Sequence, residues 1–99
     1  GESDEATVIK AVKGMGETSV SVLLWPNPNK GQFSIRMDGT TGTRDAFITD
    51  VSGKIVRSLR LGNNEQVNIT GLSAGTYILN IQHAFGIGEH FIEKIMVIR

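Results

Sequence analysis

Chemistry needs side chains that move protons, hold metals or attack, and this chain offers few in useful arrangements. His83 and His90 lie seven residues apart across a glycine-containing loop, with Glu89 and Glu93 nearby. A zinc site takes three or four ligands on a rigid frame, and no third ligand stands at a fixed spacing from the pair. Both histidines are therefore expected to be solvated, and no metal site is expected. Cysteine is absent, which excludes thiol catalysis, disulfides and thiolate metal sites. The segment DVSGK, residues 50–54, has the aspartate and glycine of a calcium loop but lacks its alternating oxygens and closing glutamate, so it reads as a hairpin. GMG and GIG lack the strand–glycine–helix setting of a phosphate cradle. No strained turn presents a serine as a nucleophile. Asn68-Ile69-Thr70 fits the N-glycosylation acceptor pattern, a frequent chance match. Trp25 would serve as a sugar platform if exposed, but beside Pro26 at the end of an apolar strand it is expected in the core or packed on the proline turn. With no acid–base or metal constellation, we expect no enzyme and no cofactor.

Placing even these few residues requires a frame, and composition points to strands. A chain of 99 residues suits one domain with a single core. Val, Ile and Thr are abundant and glycine numbers 12, a balance that favours strands joined by tight turns. The formal net charge is zero, which removes the electrostatic case for nucleic acid or an anionic membrane surface. No apolar run approaches the roughly 20 residues of a membrane-spanning helix. A glycine at position 1 is expected of a segment cut from a longer protein, in which an export signal would lie upstream.

From Thr18 onward, apolar and polar residues alternate. Strands are expected at 19–25, 32–38, 45–51, 54–61, 66–70, 75–82 and 89–98. In the second, Phe33, Ile35 and Met37 face one way while Ser34, Arg36 and Asp38 face the other. Seven short strands with turn-rich connectors predict an all-β fold, one antiparallel immunoglobulin-like sandwich. Its expected core includes Phe33, Ile35, Ile48, Tyr77, Leu79, Ile81 and Ile95. In GLSAGTY, Leu72, Gly75 and Tyr77 have the spacing of a tyrosine corner, in which the hydroxyl bonds upstream backbone; the alternative is a ring that simply alternates inward. Residues 1–17 read as a linker preceding the domain at 18–99. Val8 to Val12 would form an eighth strand if ordered, and a long hinge before a two-sided apolar strand allows a domain-swapped homodimer.

Both prolines, Pro26 and Pro28, stand in WPNPNKGQFSI, after one strand and before the next. Proline cannot donate to a ladder, so the pair ends the first strand, and Asn29 and Gly31 suit the turn that launches the second. One proline would have sufficed for a turn. The last segment, FIEKIMVIR, is apolar on both faces from Ile95 to Ile98, as in a strand that is central or lacks a partner.

These segments in order are PNPNKGQFSI after an apolar strand, ITDVSGKIVRSL, VNITGLSAGTYILNI and a terminal EKIMVIR. Together they resemble the type A C-terminal sorting domain of the type IX secretion system, over about Leu24 to Arg99. The matching residues are Pro26, Asn27, Pro28, Gly31, Asp50, Gly53, Lys54, Gly71, Leu72, Gly75, Tyr77, Lys94 and Arg99. The resemblance implies an address rather than a catalyst. It implies a cargo that reaches the periplasm by an N-terminal signal, then a folded domain that engages the translocon and its outer-membrane shuttle protein. It further implies removal of the domain by a surface sortase and attachment of the cargo to the cell surface. The glycines and Tyr77 are expected to serve folding. Lys94 and Arg99 are the expected recognition residues, because exposed terminal charges add little to stability. The alternative is an immunoglobulin-like adhesion or carbohydrate-binding module, which needs an aromatic face that one Trp, one Tyr and four Phe hardly supply.

Overall fold

A computed structural model describes residues 20–39, 42–86 and 89–98. Residues 1–17, the expected linker, and Arg99 lie outside the described residues. The strands are β1 (Ser21–Trp25), β2 (Phe33–Asp38), β3 (Arg44–Asp50), β4 (Ile55–Leu61), β5 (Gln66–Ile69), β6 (Gly75–Gly86) and β7 (Glu89–Val97). They form two antiparallel sheets, ordered β1-β2-β5 and β4-β3-β6-β7. The all-β sandwich predicted from the alternation is the observed architecture.

Alternation decides which residues face inward. Leu24, Ile35 and Met37 of the first sheet and Ile48, Leu79, Ile81 and Ile95 of the second are fully buried between the layers. Burying each such side chain contributes about 1.5–3 kcal/mol. All seven expected core residues are buried.

One strand departs from expectation. The strand expected at 75–82 is longer: β6 continues through HAFG to Gly86. His83 has φ 54° and interrupts the alternation, so Ala84 rather than His83 is buried and the β6–β7 register shifts after Ile81. A bulge of this kind adds a residue and conceals the period of 2. Of the two positions open to the last strand, apolar on both faces, it takes the one that lacks a partner, at the edge of its sheet. Ile92 and Met96 on its outer face, and Ile98 just beyond it, are exposed.

A candidate recognition site at one end of the sandwich

The four motif segments are far apart in sequence but meet at one end of the sandwich. Across the larger sheet Asp50 pairs with Tyr77, Tyr77 with Ile95, and Gly75 with Val97. Asn29 then bridges Val97 in parallel, bringing the proline turn alongside. The histidines lie at the opposite end, on the β6–β7 hairpin. There the N–H of His83 donates to His90 Nδ1 at 3.0 Å and the rings are 5.1 Å apart. Among the described residues, no three His, Asp or Glu side chains converge on a metal position.

The doubled proline is explained by what its asparagines do. Both the Trp25–Pro26 and the Asn27–Pro28 peptide bonds are cis. The chain leaves β1 here and crosses to the edge of β7. Asn27 Nδ2 donates to the carbonyl of Lys94 at 2.9 Å, and the Met96 N–H donates to Asn27 Oδ1 at 3.1 Å. The side-chain amide thus stands in for a main-chain peptide unit. Asn29 continues the pairing with its backbone: its N–H donates to Met96 O at 3.0 Å, and the Ile98 N–H donates to Asn29 O at 2.7 Å. Prolines at 26 and 28 contribute no N–H, and the asparagines beside them carry the contacts. An open edge presents unpaired groups to any passing strand, and this clip closes the stretch from the Lys94 carbonyl to Ile98.

The turn is held from within as well. Asn29 is buried, and its Oδ1 accepts the Gly31 N–H at 2.8 Å. Gly31 has φ 104°, and a Cβ there would stand 3.1 Å from the carbonyl oxygen of Leu72. Glycine is required both by the backbone and by the close approach of the Gly71–Gly75 loop. In that loop Leu72 is buried, and the Tyr77 hydroxyl donates to the Ser73 carbonyl at 2.7 Å. Tyr77 therefore makes the tyrosine-corner bond. Arg57 Nη2 donates to the Thr70 carbonyl at 3.0 Å, just before Gly71.

The β3–β4 hairpin is organised by Asp50. Its Oδ1 accepts the Ser52 N–H at 2.9 Å, the Ser52 hydroxyl at 2.7 Å and the Lys54 N–H at 3.0 Å. The Ser52 hydroxyl and then the Lys54 N–H hold the carboxyl below its ordinary 3.8. Gly53, with φ 93°, takes the left-handed corner, and its N–H donates to Asp50 O at 3.0 Å. Lys54 is exposed beyond it.

A family model described as the secretion system C-terminal sorting domain matches residues 23–97. The chain belongs to this family. No curated protein matches the chain. The family comprises secretion signals and is not an enzyme family. As a type IX sorting domain, the chain is a signal that interacts with the secretion machinery and leads to the cell surface or to secretion. The sorting-domain match spans the first three motif segments and the fourth as far as Val97.

The motif residues differ in what they do within the fold. Gly31, Gly53 and Tyr77 serve backbone geometry and packing, and Asn27 serves the β7 edge. Pro28, Lys54 and Lys94 are exposed. Lys94 points from the outer face of β7, between Ile92 and Met96, while its carbonyl is held by Asn27. Among the described residues it has no ion-pair partner. Asn29 read from sequence only as a turn former; its pairing with the last strand left no local signal. Trp25 is half-buried on the outer face of the three-stranded sheet rather than in the core.

Proposed function

We propose that this end of the sandwich is the surface by which the export apparatus recognises the folded sorting domain. The supporting observation is the Asn27 clip, which joins the first motif to the last and makes the proline turn and the basic strand one continuous surface. On this reading Pro28, Lys94 and Arg99 are contacted directly. Pro26, Asn27, Gly31, Asp50, Gly53, Lys54, Gly71, Leu72, Gly75 and Tyr77 hold that surface in shape. Recognition of a folded surface suits a signal that must survive transit and be read as a unit.

The remaining steps follow from this reading. The cargo crosses the periplasm with residues 18–99 folded, and the outer-membrane shuttle protein receives it from the translocon. A surface sortase then cuts within residues 1–17, the linker, and attaches the cargo to the cell surface. A domain-swapped homodimer through Val8 to Val12 is a separate proposal about residues outside those described; sedimentation of the full chain, with and without residues 1–17, tests it. The sorting role is tested by fusing a fluorescent reporter ahead of the chain in a host with a working type IX system. Surface fluorescence that is lost in a translocon-deficient strain is expected. Retention of the wild-type fusion in the periplasm of the competent host overturns the reading.

A further inference from the structure

A second feature lies on the outer face of the three-stranded sheet and is independent of the sorting role. Trp25 pairs with Ser34, and Ser34 pairs with Asn68, so three side chains form a row across β1, β2 and β5. An open cleft of about 340 Å³ lies against this row, with Pro26, Gln32 and Thr70 on its walls. None of its lining residues is charged. The nearest ion pair, Arg36 with Asp38 at 3.1 Å, is closed on itself along β2.

The polar groups of the row have fixed directions. Asn68 Oδ1 accepts both the Ser34 hydroxyl at 2.7 Å and Gln66 Nε2 at 2.8 Å. With its oxygen committed, Asn68 turns its Nδ2 away from these neighbours, and that amide makes no bond to the described residues. Trp25, half-buried, lines the cleft at the other end of the row, and an indole carries an apolar face.

We propose that this cleft binds a neutral saccharide. A pyranose ring has one apolar C–H face to lie on the indole and a rim of hydroxyls to meet Asn68, Ser34, Gln32 and Thr70. Its size is at the lower end of small-molecule pockets, which suits a mono- or disaccharide. An ionic ligand finds no counter-charge here. A wholly apolar ligand would desolvate the Asn68 amide without replacing its hydrogen bonds. An extended peptide would dock through the main chain of a sheet edge, whereas these groups project from a sheet face.

Trp25 is the chain's single tryptophan, so its emission reports this site alone. Titration with mannobiose, cellobiose and di-N-acetylchitobiose is expected to give a saturable emission shift with at least one of the three. Asn68→Ala, at an exposed position, should weaken that binding about tenfold, as expected from losing the amide's direct and positioning bonds. Asn80→Ala, on the outer face of the opposite sheet, should leave it within about twofold. No emission shift with any of the three sugars, or equal binding by Asn68→Ala, overturns the proposal. The sorting assay is unaffected by either result, since the purified domain is titrated without the export apparatus.

Discussion

Asn27 and Lys94, 67 residues apart, are joined by a 2.9 Å hydrogen bond from the Asn27 side-chain amide to the Lys94 carbonyl. With the return bond from the Met96 N–H, this contact fastens the first turn of the domain to its last strand. A motif at the start of the module and a motif at its end are therefore one structural object. Replacing Asn27 with alanine removes both bonds and should destabilise the domain by about 1–2 kcal/mol in urea unfolding. Hydrogen exchange gives the sharper check: the Met96 amide should exchange faster in the variant, while the Ile35 amide changes only as global stability does.

Gly31→Ala should cost more than a typical surface change, about 1–3 kcal/mol. Its φ of 104° is strained for any side chain, and the new Cβ would crowd the Leu72 carbonyl at 3.1 Å. Thermal unfolding of the variant measures this directly, and a wild-type melting temperature would show that the turn can shift without penalty.

Tyr77→Phe keeps the ring in the core and deletes only the bond to the Ser73 carbonyl. The expected cost is about 1 kcal/mol. A larger loss would mean that the hydroxyl has a second role.

How much of this was legible follows from which interactions are local. Phe33 to Asp38 announces its strand by alternation, and the spacing of Leu72, Gly75 and Tyr77 offers the hydroxyl bond as one of two readings. Asp50, Gly53 and Lys54 lie within one hairpin, so their turn is also readable. The bulge at His83 was not, because a single residue with positive φ shifts the phase without changing composition. The edge position of β7 was one of two open readings, because apolar residues on both faces, with Ile92, Met96 and Ile98 exposed, fit a central strand as well as an unpartnered one. No local pattern relates Asn27 to Lys94, since their contact depends on both sheets having formed.

The Asp50 carboxyl makes the hairpin sensitive to acid. Its folded value lies below the ordinary 3.8, first through the Ser52 hydroxyl. A depressed carboxyl stabilises the fold above its unfolded value, and that contribution is lost as pH falls through the folded one. Asp50→Asn should therefore flatten the decline of stability below about pH 4, measured by urea unfolding across a pH series. Parallel curves for the two proteins would assign the acid response to other carboxyls.

If the export apparatus reads Lys94 and Arg99 at the end of the clipped last strand, reversing their charge blocks export. Lys94→Glu with Arg99→Glu leaves every described core side chain in place and should keep stability within about 1 kcal/mol of wild type. Two measurements on one variant decide the matter: its melting curve, and the location of a reporter fused ahead of it in a type IX host that exports the wild-type fusion. A normal melt with the reporter held in the periplasm is expected. A normal melt with the reporter at the cell surface, as in wild type, would remove Lys94 and Arg99 from the signal.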